Sequence, residues 1–467
     1  MDRAWMAIER GIDTIKQHNT LLIALVGLGL CRSCLGWTLG IGRSHYLSNG
    51  FALDPHLLTD IGELLGFALL AALAASRGSL AKRSGPLFGA VIMFLRGSFL
   101  VFLYSYMCTA LPELLWFGSL LAGFGYAALF LLWLEFCGCL EPRPTVFIVA
   151  GSYIVSLVAW IGFDNMAPLC GFACALALFV TSTALLVSAY QNIRRVDLPR
   201  GESQKSIVSW RILAWVALMS LAFGFGDGFT NMGFSTLASK VGMVVPIGII
   251  VLGMRLFPNR FDMGVIYRIT LPLMLCGVTI TVLVNVWPVA SQTMMSAAQA
   301  SYQLLACAIV CMASFRNKTS AVFSCGLLLG SSTLCAQTGK LLGIQANIWG
   351  SDSFVSFIVV LAFIALGSLL LKEQDFSSLI TNPESQTNQE RQLRELARDH
   401  ELSKREETVF IMIALGASTQ EISSELFIAQ STVRAHASRI YEKFNVHNRQ
   451  EFDALLRAHL ATNAPLS

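Results

Sequence analysis

Five side chains between residues 432 and 443 have the chemistry of a nucleic-acid reader. Within "QSTVRAHASRIYEK" (430–443), Thr432, Arg434, His436, Arg439 and Lys443 recur among small residues at intervals that one helix can present together. An arginine fork can donate to both acceptors on a guanine edge, while hydroxyl, imidazole and ammonium groups suit phosphate oxygens. Val433 belongs to the same run and, with Ala437, Ile440 and Phe444, marks the side that packs on a core. A second polar set is scattered through otherwise apolar sequence: Arg32, Asp60, Glu63, Arg96, Asp227, Gln299, Gln303 and Gln337. Ionisable groups in such surroundings are functional by default, and these are the candidates for reading a small-molecule ligand. The twelve cysteines all precede residue 336, and pairs such as Cys31/Cys34, Cys137/Cys139 and Cys307/Cys311 have no histidine at ligand spacing. They read as small packing residues, so neither a metal site nor a cofactor is expected. No nucleophile or acid–base constellation stands out, and an enzyme is not expected.

The elements that must position these groups are helices of two kinds. Of 467 residues, 55% are hydrophobic and only 13% charged, with a mean hydropathy of +0.62. Soluble domains are nearer a quarter charged, so the composition is that of a polytopic membrane protein. The charge is also segregated: residues 20–371 are almost free of it outside short loops, while 372–467 are rich in Glu, Arg, Lys, Gln and Asn. A bilayer-crossing helix needs about 20 apolar residues. That window predicts twelve spans, at 20–40, 56–75, 86–106, 112–136, 145–163, 167–189, 210–230, 236–257, 264–285, 290–314, 320–341 and 352–371. Residues 1–19 are polar and amphipathic, unlike the apolar stretch of a signal peptide.

An even number of spans puts both termini on one side. Arg3, Arg10, Lys16, Arg77, Lys82, Arg83 and Arg143 fall on that side, as do Arg194, Arg195, Arg200 and Lys205 of the long central loop. The opposite side offers little beyond Arg43, so the positive-inside rule makes both termini cytoplasmic. Depth along the spans also matters. Arg32, about 18 Å from the inner end of span one, and Glu63, about 10 Å from the outer end of span two, come nearly level. An Arg32–Glu63 pair, with Asp60 one turn above, is within reach. Gln292, Gln299 and Gln303 share a face of span ten.

Six spans, a longer basic loop and six more spans resemble the layout of the major facilitator superfamily. "GSLAKRSGPL" (78–87) is similar to that family's loop motif, G-x-L-A-D-R-x-G-R-R, through Gly78, Leu80, Ala81, Arg83 and Gly85. Lys82 stands where the family has Asp, and Pro86 and Leu87 replace its basic pair. In the family these charges participate in gating, so the resemblance implies a transporter-like scaffold that no longer cycles.

Residues 372–400 have the composition of a polar connector, with Asn382-Pro383 stopping any continuation of the last span. Beyond them, residues 401–467 carry clear helix punctuation. Ser403–Glu406 and Ser418–Glu421 are capping boxes, Gly416 a stop, and Asn448–Glu451 the start of a fourth helix. The run "LSKREETVFIMIALGASTQEISSELFIAQSTVRAHASRIYEKFNVHNRQE" resembles the LuxR-type (FixJ/NarL-like) DNA-binding domain. It matches through Leu402, Ser403, Arg405, Glu406, Gly416, Ser418, Glu421, Ile422, Leu426, Ile428, Thr432, Val433, His436, Ile440, Lys443 and Arg449. The resemblance implies a four-helix helix-turn-helix domain whose third helix enters the major groove. Arg434 would then contact bases, Thr432, Arg439 and Lys443 would hold phosphates, and His436 would lie at the backbone-facing edge. Ala429 departs from the family's Ser at the cap of that helix. Residues 399–467 hold seven Lys+Arg against nine Asp+Glu, so one copy would bind DNA weakly. The family commonly dimerises through its fourth helix, here Phe452 and Leu455, and a homodimer on promoter DNA is expected.

The fold class expected is therefore all-α: a twelve-helix, six-plus-six membrane bundle with a C-terminal four-helix DNA-binding domain. The function expected is that of a membrane-bound, one-component transcription regulator that senses a small molecule through its bundle. A transporter with a regulatory tail, or a helix-turn-helix interaction module without DNA binding, are the alternatives.

Overall fold

The computed structural model describes residues 19–34, 55–80, 84–106, 111–163, 168–193, 210–230, 288–317, 319–348 and 353–370, with isolated short pieces between 241 and 276. In the C-terminal part it describes 393, 396–400, 402–414, 419–426, 429–446 and 451–452. The chain divides into two compact units, Met1–Ile380 and Thr381–Ser467.

The first unit is helical. Its elements are α1 (Asn19–Cys34), α2 (Pro55–Arg77), α3 (Ser84–Tyr106), α4 (Pro112–Cys137), α5 (Pro142–Phe163), α6 (Pro168–Asn192) and α7 (Trp210–Thr230), followed by α8 (Pro288–Asn317), α9 (Ala321–Ile348) and α10 (Ser353–Leu370). Five of these open on proline, whose fixed φ suits the first turn and whose missing N–H costs nothing there. Eight of the described helices, α2 to α9, are long and apolar enough to cross a membrane. They coincide with eight of the twelve expected spans. Helix α10 stands at the twelfth, α1 covers most of the first, and most of the eighth and ninth lies outside the described residues.

Most of α4 and α8 is buried inside the unit, whereas α3 and α6 keep large apolar side chains on the outside, facing lipid. Polar tethers inside the unit are side chains with partners. The Trp133 indole N–H donates to Ser182 Oγ at 2.9 Å, and that hydroxyl donates to the Gly27 carbonyl at 2.7 Å, tying α4, α6 and α1 together. Helices α7 and α9 approach closely through glycine. A Cβ on Gly339 would lie 2.2 Å from the Leu221 carbonyl oxygen, and one on Gly343 2.2 Å from that of Phe225. Small residues at such seams let backbones meet where lipid offers no hydrophobic drive for association.

The second unit contains α11 (Lys404–Ala414), α12 (Thr419–Leu426) and α13 (Gln430–Lys443), with helical residues at 396–399 and 451–452. Its core gathers Val409, Phe410, Ile413, Ile422, Val433, Ile440, Phe444 and Phe452, and includes Leu393, Leu396 and Ala397. Residues at the end of the expected connector are thus part of this core. The reason is a helical apolar face, Leu393/Leu396/Ala397, that needs a partner.

Candidate functional site

In the C-terminal unit the site is built from helix caps. Ser403 N–H donates to Glu406 Oε2 at 2.9 Å, and Glu406 N–H donates to Ser403 Oγ at 3.4 Å, the reciprocal bonds of a capping box. Lys443 Nζ adds a third bond to the same carboxylate oxygen at 3.0 Å, joining the start of α11 to the end of α13. The Ser403 backbone N–H, then the Lys443 ammonium and the Ser403 hydroxyl, pull the Glu406 carboxyl down to about 2 from an ordinary 4.5. Helix α13 ends in a Schellman arrangement: Val446 N–H reaches the Tyr441 carbonyl and Asn445 N–H the Glu442 carbonyl. Asn445 takes the left-handed conformation this needs, with φ 53°. At its other end Ala429 is the extended N-cap and makes no side-chain cap bond, nor do Gln430 or Ser431 make one in its place.

Positions along α13 sort the six expected DNA-facing residues. Thr432, Arg434 and Arg439 are exposed, on a face that also presents Gln430, Ser431, Ala435 and Ser438. Val433 is buried in the core, as its apolar periodicity demanded. His436 is half-buried. Lys443, expected on phosphate, is held by Glu406. Phe452, expected on a dimer face, is instead fully buried against Phe410, Phe444 and Tyr441 of its own unit. An aromatic that fills a small domain's core cannot also cover a partner. Leu455 lies outside the described residues.

In the membrane unit the expected ligand residues separate into distinct places. Arg32 is seated between α4 and α5. Its Nε–H donates to Ser152 Oγ at 2.9 Å, and its guanidinium carbon lies 3.9 Å from the Tyr153 ring centre and 4.8 Å from that of Phe130. The expected Arg32–Glu63 ion pair is not formed between these two described residues. Arg32 turns instead towards the aromatic faces of α4 and α5. Asp60 instead accepts a hydrogen bond from Gln337 Nε2, which bridges α2 and α9. Asp227 is 3.5 Å from Lys340, an ion pair between α7 and α9 beside their glycine seam. Gln299 and Gln303 are half-buried on α8, and the Gln292 side chain lies outside the described residues. Arg96 is exposed on α3 and joins none of these groups.

One buried carboxylate escaped the sequence reading. Glu135, fully buried near the end of α4, accepts from Ser79 Oγ at 2.9 Å, Leu80 N–H at 3.0 Å and Ser320 Oγ at 2.8 Å. It thus anchors the "GSLAKRSGPL" loop, after the left-handed turn at Gly78, to the segment leading into α9. A lone acid in the apolar run "LFLLWLEFCGC" was the available signal. Among the described residues no cluster of His, Cys, Asp and Glu could hold a metal ion.

Comparison with known proteins follows the same division. Residues 400–454 match the family "Bacterial regulatory proteins, luxR family". The chain is 48% identical over 48 residues to the probable transcriptional regulatory protein NarL of Mycobacterium tuberculosis, a stretch of 10% of this chain and only 22% of that protein. It is 44% identical over 50 residues to the spore germination protein GerE of Bacillus subtilis, covering 11% of this chain and 68% of that one. The fold of the larger part is similar to the human organic anion transporter MFSD10, with TM-score 0.51 and 12% identity over 75% of this chain and 99% of the other. It is also similar to a bacterial homologue of the iron transporter ferroportin in its outward-facing state, with TM-score 0.53 and 14% identity over 77% and 99%. No enzyme family is indicated. The chain is a multi-pass membrane protein of major-facilitator-like fold that belongs, through its C-terminal domain, to the luxR family of bacterial regulatory proteins.

Proposed function

We propose that the protein is a membrane-resident, one-component transcription regulator: its bundle senses a small molecule and its C-terminal domain binds promoter DNA. The observation that carries this is the exposed Thr432–Arg434–Arg439 face of α13, on a luxR-family domain continuous in one chain with a facilitator-like bundle. The basic loops support a cytoplasmic position for both termini, on the side of the chromosome. Two copies on a two-fold site offset the weak affinity of an acidic domain, through a surface other than Phe452. Intramembrane polar residues with no role in the fold are where a ligand would act.

Chromatin immunoprecipitation of the full-length protein in its host, beside Arg434→Ala, tests the reading. Discrete promoter peaks that vanish in the variant are expected. Absence of peaks under every growth condition would sink the regulator, and substrate uptake into proteoliposomes would then favour a transporter with a regulatory tail.

A further inference from the structure

Arg32 is the residue whose surroundings leave chemistry unfinished. A guanidinium inside a bundle is normally matched by a carboxylate, since an unpaired charge there is costly. Here the matching groups are neutral: one serine hydroxyl at 2.9 Å and the faces of two aromatic rings. No carboxylate of any described residue lies within ion-pair distance of it. Of the two acids expected near it, Asp60 is bonded to Gln337 and Glu63 makes no ion pair with it. Arg32 nevertheless lies deep in the unit, on α1 against α4 and α5, and is itself only partly buried.

Resting on the sensor reading above, we propose that Arg32 is the anchor of the ligand site and that the ligand is a small organic monocarboxylate with an apolar body. One fixed positive charge matches one negative charge, and a dianion such as phosphate would carry an unmatched charge into a low-dielectric site. The guanidinium fork fits a carboxylate through two parallel N–H···O bonds, and the bond from Nε to Ser152 fixes the side chain that carries it. The Phe130 and Tyr153 rings beside the cation provide the apolar walls for the rest of the molecule.

The test uses full-length protein in lipid nanodiscs and follows thermal unfolding with benzoate, hexanoate, their amides, and inorganic phosphate. A carboxylate is expected to raise the unfolding temperature by several degrees while its amide does not. Arg32→Gln is expected to weaken carboxylate binding about tenfold or more, since a charge-assisted bond is lost. Arg32→Lys, which keeps the charge but not the fork, falls between. Without ligand, Arg32→Gln is expected to unfold at a slightly higher temperature than the wild type, because it removes an unmatched charge. No response to either carboxylate, or an equal response to phosphate or the amides, would overturn the proposal. So would a ligand-free Arg32→Gln protein that unfolds below the wild type, which assigns the cation to the fold. Failure of the regulator reading is distinguishable: Arg32-dependent carboxylate binding that leaves promoter occupancy unchanged sinks regulation and keeps the site.

Discussion

At the scale of single residues, helix α13 leaves one face exposed, the face proposed to read DNA, and is secured from the other. Arg434→Ala should cost about 1–3 kcal/mol of specific binding and relax preference at one base pair. Arg439→Ala should weaken binding evenly across sequences and reduce the salt slope by about one, checked by fluorescence anisotropy over a salt series. The uncapped start of the same helix is improvable: Ala429→Ser should stabilise the C-terminal unit by about 1 kcal/mol in a denaturant titration. Glu406 has the opposite character. Its pKa is lowered on folding, so its contribution is complete above the ordinary value of 4.5 and fades as pH falls towards 2. Glu406→Gln should therefore destabilise the C-terminal unit at neutral pH and progressively less in acid, seen as converging unfolding curves of the two proteins. The capping box itself was legible, because two side chains three residues apart meet over one turn. The Lys443 bond was not, because it depends on how the end of α13 meets the start of α11.

Among the elements, the seam between α7 and α9 is the sharpest constraint. Gly339→Leu has no space against the Leu221 carbonyl, so the helices must separate, exposing the Asp227–Lys340 pair. The expected outcome is loss of monodisperse protein in detergent, measured by size-exclusion chromatography, whereas Gly85→Ala, with open space around it, should behave as wild type. The sequence "GFGDGFTN" presented Asp227 as a ligand candidate; its two glycines against α9 show why an acid tolerates that position. Span positions were readable from hydropathy, since a helix in lipid must satisfy its own backbone and cover it with apolar side chains. Pairings between spans were not, since lipid-facing and protein-facing residues are equally apolar.

The molecule as a whole joins two units with different solvents. The charge asymmetry of its loops predicts that a fluorescent protein fused to the C-terminus is bright and an alkaline phosphatase fusion inactive; the reverse result would put the DNA-binding domain outside the cell. Glu135 belongs to this scale, because it joins the loop after α2 to the segment before α9, elements from the two halves of the bundle. The loop after α2 is held at Ser79 and Leu80 by a carboxylate supplied from α4.

Sequence by itself determined the two-part organisation, the helical class, most span positions and the identity of the DNA-binding domain. Each is written in local periodicity, composition or a contiguous motif, and survives whatever the helices later pack against. Tertiary structure alone decided that Arg32 rests on aromatic rings instead of Glu63, that Asp60 meets Gln337 and Asp227 meets Lys340. It also decided that Phe452 fills a core and that Glu135 holds a loop. These outcomes turn on rotation of one helix about its axis against another, and composition and hydropathy carry little record of that angle.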